Sequence, residues 1–263
     1  MPIARLDSRA LIRVSGPDAR PFLHNLLTQN VETLAPGELR FAALLSPPGR
    51  LLFDLFIQGE EDGVILDVAA ERRDSLIQRL SMYKLRSDVQ ITAMAEAVYA
   101  AWDEVPNGFV TDPRLAALGG RSHSHAGAVD ATEANYNARR LSLGVPDPVA
   151  DTLADKTYPI EANLDLLNGI DFHKGCFVGQ ETTSRMKRRG TIKTRILPFT
   201  YQGQPPAAGA EVLNGDLRAG EVTRAEGGQG MAMIRLDRMD GDLSADGQPI
   251  TVTRPDWVPP FQA

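Results

Sequence analysis

The run His173-Lys174-Gly175-Cys176-Phe177-Val178-Gly179-Gln180-Glu181 holds the only cysteine of the chain and separates two kinds of sequence pattern. Before it, strand-like alternation and helix-like spacing take turns. After Thr191 only short β-rich pieces follow, at 192–201, 211–213, 220–223, 231–236 and 250–253, separated by Gly, Pro and Asp, which predicts a small barrel or sandwich. The run itself is polar and punctuated by glycine, so it reads as a loop that presents its cysteine. A thiol reacts and binds metal as thiolate, and the cations Lys174 and His173 are the residue types that would favour that form. The competing reading is a small buried hydrophobe with incidental neighbours.

Composition narrows the classes. The chain has 263 residues, 43% hydrophobic and 24% charged, the profile of an ordinary globular protein, and its apolar runs are too short for a membrane span. One cysteine excludes an intrachain disulfide, and with four scattered histidines it excludes a self-sufficient zinc or iron–sulfur site. No permanently bound metal is expected. Residues 1–14 lack the pattern of a secretory signal or transit peptide, so a cytoplasmic location is expected. The net charge of −6 makes nucleic acid an unlikely general partner. A local exception is the acid-free run with Arg185, Lys187, Arg188, Arg189, Lys193 and Arg195, which is a solvated face or a site for an anion or acidic partner.

Upstream, 10–15 alternates as a strand. Gly16-Pro17-Asp18 then opens a helix toward Thr28 with Phe22, Leu23, Leu26 and Leu27 on one face. Strands follow at 39–45, 50–57 and 64–68, then a helix over 71–83 and a strand at 89–92, giving an α+β unit with helices on one side of an antiparallel sheet. Short strands at 97–102 and 109–111, a helix over 130–143 and a short helix over 160–168 complete the middle. In the strand 50–57, Leu51, Phe53, Leu55 and Ile57 share one face, leaving Asp54 between Leu52 and Phe56 on the other. A carboxylate so placed needs a partner. It is either an internal salt bridge or a pocket-facing acceptor for a ligand with two parallel N–H donors, such as a pterin or a guanidinium.

The segments Tyr158-Pro159-Ile160-Glu161-Ala162-Asn163-Leu164-Asp165, Asn168-Gly169-Ile170-Asp171-Phe172, the KGCFVGQE motif, Thr183-Ser184-Arg185 and Arg189-Gly190 together resemble the signature of the YgfZ family of folate-binding proteins, in its branch with the mitochondrial iron–sulfur assembly factor. Thr111-Asp112-Pro113-Arg114, residues 140–146, and Gly49-Arg50 leading into Asp54 extend the likeness over most of the chain. The resemblance implies an α+β, three-lobed, aminomethyltransferase-like fold with a C-terminal β-barrel, divided here as 1–95, 96–189 and 190–263. It implies a tetrahydrofolate-binding accessory factor for assembly or repair of iron–sulfur clusters, four-iron four-sulfur ones above all, whose targets include tRNA-modifying enzymes. Cys176 and Lys174 would carry the chemistry, with Cys176 as a transient metal ligand shared with a scaffold or carrier protein. Asp54, Tyr136, Gln180, Glu181 and Arg185 would bind tetrahydrofolate or a derivative. Two alternatives stand beside this: a folate-dependent one-carbon transferase, weakened because Phe53 replaces the first of two adjacent aspartates, and an RNA-binding module built on the basic run. Arg9 stands where a bacterial relative has tryptophan near the folate. For Tyr136, pterin stacking competes with plain helix packing. His24, His123 and His125 read as surface or core residues.

Overall fold

The computed structural model describes residues 1–148, 151, 156–190 and 192–260, and it divides into two compact units. The first comprises Met1–Asn137 and Leu167–Gln180, the second Ala138–Leu166 and Glu181–Ala263. Among the described residues no helix is long and apolar enough to cross a membrane.

The first unit holds two antiparallel sheets. The larger has the strand order β3-β4-β5-β2-β6, formed by β2 (Arg9–Ser15), β3 (Leu39–Leu45), β4 (Leu51–Glu60), β5 (Gly63–Ala69) and β6 (Gln90–Ala93). Helices α1 (Ala19–Leu26) and α2 (Arg73–Lys84) cover one face, where Phe22, Leu23, Leu76 and Leu80 pack with Ala42, Leu44, Phe53, Leu55 and Ile57. The helical spacing read from the sequence is what puts these apolar stripes toward the sheet. The smaller sheet has the order β1-β7-β9-β8, from β1 (Ile3–Leu6), β7 (Val98–Ala101), β8 (Val110–Thr111) and β9 (Gly120–Ser122). A second core joins it to the other face of the large sheet through Leu6, Leu11, Ile65, Val98, Trp102 and Tyr136, the last from α3 (Glu133–Ser142).

The compact units cut across the expected boundaries at 95 and 189. Ile3 pairs with Ala101 and Leu6 with Val98, so the first strand of the chain belongs to the sheet built mainly by the second expected lobe. Pairing across about a hundred residues leaves no local signature in the sequence.

In the second unit, β10 (Thr194–Tyr201), β11 (Glu211–Asn214), β12 (Leu217–Glu226), β13 (Gln229–Arg235), β14 (Leu243–Ala245) and β15 (Gln248–Val252) close a six-stranded barrel, β15 returning to pair with β10. Closure leaves no unpaired sheet edge. Its interior is filled by Leu197, Phe199, Val212, Val222, Ala232, Ile234 and Ile250.

One expectation fails locally. Residues 160–168 form a chain of turns instead of a helix. Asn163 lies in the left-handed region (φ 62°), a conformation Asn tolerates, and its buried side chain donates to the Ile196 carbonyl (2.7 Å) and accepts from Arg195 (2.9 Å). The basic tract, to which the sequence had assigned no element, is carried by α4 (Gln180–Arg189), which starts at the end of the cysteine loop. Glu181 in its first turn and Lys187, Arg188 and Arg189 in its last complement the helix dipole.

Candidate functional site

Cys176 is a free, exposed thiol at the tip of the loop between Asp171 and Gly179, and the residues on either side of the tip fasten that loop to the first unit. Asp171 starts the turn: its backbone N–H donates to the Thr28 carbonyl (3.0 Å), and its Oδ1 accepts the N–H groups of His173 (2.8 Å) and Lys174 (3.1 Å). Thr28, just beyond α1, is buried and ties both directions together, donating its hydroxyl to the Gly169 carbonyl (2.6 Å) and accepting the Ala43 N–H (2.8 Å). Beyond the tip, Phe177 is buried and Val178 packs on the sheet–helix core. Gly179 adopts φ 80°, and a Cβ there would lie 2.7 Å from the Ser46 carbonyl oxygen and 2.8 Å from the Gly49 Cα. Only glycine fits that approach to the Pro47-Pro48-Gly49 turn.

Lys174 has a different task from the expected one. Its side chain is buried, and Nζ donates to the carbonyls of His24, Leu27 (2.6 Å) and Gln29 (3.1 Å) at the C-terminal end of α1, while lying 5.3 Å from the Phe177 ring centre. All three ammonium protons are thus committed to backbone, at the helix terminus where a cation is favoured. Burial pushes its pKa down to about 8 against the pull of Asp171 and Glu32. Lys174 therefore anchors the cysteine loop. His173 is exposed, and Gln180 reaches back only weakly, 3.5 Å from the Gly175 carbonyl.

Of the residues expected to hold folate, Asp54, Tyr136 and Gln180 belong to the first unit and Glu181 and Arg185 to the second. Glu181 and Arg185 are exposed on α4. Asp54 and Tyr136 are buried inside the first unit within a network of charges that covers the second face of the large sheet. There Arg9 donates to Asp67 Oδ1 (2.7 Å), to the Asp67 carbonyl (2.8 Å) and to Asp54 Oδ2 (3.3 Å). Arg121 also pairs with Asp67, Arg114 makes a two-pronged contact with Asp112 (3.0 and 2.8 Å), and the Tyr136 hydroxyl lies 2.9 Å from Arg114. Burial would raise the Asp67 carboxyl, but Arg121 and Arg9 outweigh it and hold the pKa well below the carboxylate range. Asp112 is lowered in the same way, Arg114 overcoming burial. The guanidinium carbons of Arg121, Arg114 and Arg9 lie 4.0, 4.8 and 5.6 Å from the Phe56 ring centre. The Tyr136 ring itself packs 6.1 Å from Trp102. Inside the first unit, then, Arg9 reaches one oxygen of Asp54 and Arg114 reaches the Tyr136 hydroxyl.

Asp67 is the residue that sequence reading passed over. Its signal was present, since it interrupts the apolar strand 64–68 just as Asp54 interrupts 50–57. Its partners come from β2 and β9, which only the fold brings near. His123, read from sequence as a surface or core residue, is buried with Nε2 3.6 Å from Asp67 Oδ2. The basic run is also smaller than it looked. In the second unit Arg195 is buried and pairs with Asp165 (2.9 and 3.0 Å), leaving Arg185, Lys187, Arg188 and Arg189 as the exposed cations of α4.

Among the described residues no group of three or more His, Cys, Asp or Glu side chains could hold a metal ion. Cys176 offers a single soft ligand, so iron bound there needs its remaining ligands from another molecule.

Comparison with known proteins agrees with this architecture. The family model described as the CAF17 C-terminal beta-barrel domain matches residues 193–260. The chain is similar to the iron–sulfur cluster assembly factor IBA57 homolog, mitochondrial, of Neurospora crassa, with 35% identity over 246 residues, 80% of this chain and 56% of that one. It is 30% identical to the mouse iron–sulfur cluster assembly factor IBA57, mitochondrial, over 97% of this chain and 85% of the relative, and 29% identical to the human one over the same shares. Glycine cleavage system aminomethyltransferase T from Bartonella henselae has the same fold, with a TM-score of 0.77 over 97% of this chain and 86% of that one at 18% identity. The expected aminomethyltransferase-like fold is thereby borne out. The expected cytoplasmic location is overturned, since the relatives are mitochondrial proteins by name.

Proposed function

The chain belongs to the IBA57 family of iron–sulfur cluster assembly factors, and from that premise we propose that it assists assembly or repair of iron–sulfur clusters, with the thiol of Cys176 as its point of contact with iron. The observation that carries the reading is the exposed cysteine on a loop whose base is fixed by Lys174, Phe177 and Gly179. A ligand on a fastened loop meets a cluster at little entropic cost. On binding iron the thiol releases its proton to solvent and supplies one thiolate, while the remaining ligands stay with the partner that brings or receives the cluster. Such a complex forms and dissociates, which suits an accessory factor serving scaffold or carrier proteins and their four-iron four-sulfur targets, tRNA-modifying enzymes among them. The exposed cations of α4 favour an acidic partner or the anionic cluster itself. A one-carbon transferase reading gains no support, because the carboxylate it would use as acid or base, Asp54, is engaged by Arg9.

Anaerobic addition of ferric iron and sulfide with excess glutathione, which stands in for the partner's thiolates and is the reductant where ferrous iron is needed, tests the proposal. Visible charge-transfer absorption that elutes with the wild-type chain and is lost in Cys176→Ala, with unchanged thermal melts, is the expected result. Equal absorption by the variant removes Cys176 from the function.

A further inference from the structure

We infer that this chain carries its own substitute for a pterin, the guanidinium of Arg9, and that Asp54 is thereby withdrawn from tetrahydrofolate binding. A carboxylate recognises the amino-pyrimidinone edge of a pterin through two parallel N–H donors, and a guanidinium offers the same planar, paired donors. In the first unit one oxygen of that carboxylate is engaged from within. Arg9, with a side chain only 7% exposed, directs one amino group to Asp54 Oδ2 and the rest of its fork to Asp67, whose position on β5 opposite Phe56 of β4 is fixed by strand register.

A pterin also needs an aromatic surface, and this too is occupied. Phe56 stands two residues from Asp54 on the same face of β4, and the guanidiniums of Arg121 and Arg114 lie against its ring. Tyr136, the other aromatic candidate, is buried with its hydroxyl bonded to Arg114. Three arginines and the aspartates 54, 67 and 112 thus form a charge-matched network in which each cation holds a carboxylate or a ring that a flat, donor-rich heterocycle would require. Displacing Arg9 would leave Asp67 with one fewer cation and a buried guanidinium without its acceptors, a cost that a weak donor edge cannot offset. The network is structural in this chain, and Asp54 serves the fold.

The inference is independent of the Cys176 reading, since it concerns residues that reading does not use. Calorimetric titration with 5-formyltetrahydrofolate, a stable reduced folate, tests it on the full chain in four forms: wild type, Asp54→Asn, Arg9→Gln and Arg9→Gln/Asp54→Asn. Gln keeps hydrogen-bonding capacity while removing the charge and the fork. The expected result is no saturable binding by wild type up to about 1 mM, binding at least about tenfold tighter in Arg9→Gln, and its loss in the double variant. Saturable wild-type binding that disappears in Asp54→Asn overturns the inference. So does a folded Arg9→Gln chain that binds no better than wild type. Should Arg9→Gln fail to fold, the wild-type and Asp54→Asn titrations still decide.

Discussion

Replacing Lys174 by Met removes the ammonium while keeping an unbranched apolar stem against Phe177, and the structure gives the size of the effect. Three carbonyl acceptors lose their donor. The bond to the Leu27 carbonyl is fully buried, so that acceptor costs about 1–3 kcal/mol when left unsatisfied, whereas the carbonyls of His24 and Gln29 are part-buried and regain water at about 0.5–1 kcal/mol each. Against this stands the desolvation penalty of the buried ammonium, whose sign is visible in the lowered pKa of about 8. The net loss is about 2 kcal/mol, or a fall of about 4–8 °C in melting temperature for a domain of this size. The same substitution has a pH signature. Between about 8 and the ordinary value of 10.5 the folded chain binds fewer protons at this site than the unfolded chain, so this group makes stability rise with pH across that window and contributes no slope below it. Urea unfolding of wild type and Lys174→Met at pH 7.5 and 10 isolates the difference, because all other titrating groups are shared. Alkylation of Cys176 by iodoacetamide is followed in parallel. If the variant melts like wild type while its alkylation slows by more than about tenfold, Lys174 acts on the thiol and not on the loop, and the anchoring argument is refuted.

Gly179→Ala should destabilise the chain by about 2 kcal/mol or more, from the positive φ and the backbone atoms that a Cβ would strike, and an unchanged melt would show that the Pro47-Pro48-Gly49 turn yields easily. Asp67→Ala should cost about 3–5 kcal/mol by stranding Arg9 and Arg121, read by chemical denaturation; a loss below about 1 kcal/mol would contradict the charge-matched network. Because the folded Asp67 carboxyl titrates well below its ordinary value of 3.8, its stabilisation is present at neutral pH and is lost as pH falls below 3.8 and through the folded pKa. Asp67→Ala should accordingly show a shallower decline of stability in that acid range than wild type.

Local pattern carried much of this protein. The apolar runs 39–45, 50–57 and 64–68, helical spacing in 71–83 and the Gly- and Pro-punctuated tail correspond to β3, β4, β5, α2 and the barrel strands, because strands buried on both faces read as short apolar runs and a helix with one buried face repeats its apolar residues at 3.6. The glycine-bounded loop was equally legible, since polarity and turn residues are local properties, and its cysteine is indeed exposed. Tertiary structure decided what the charges do. Lys174, two residues from Cys176 in the chain, spends its protons on carbonyls about 150 residues earlier, and Asp54, apparently open to a ligand, meets an arginine from a strand 45 residues away. A side chain's partner is set by which elements the fold brings within about 3 Å, and hydrogen bonds and ion pairs at that range outweigh any influence of sequence neighbours that point elsewhere.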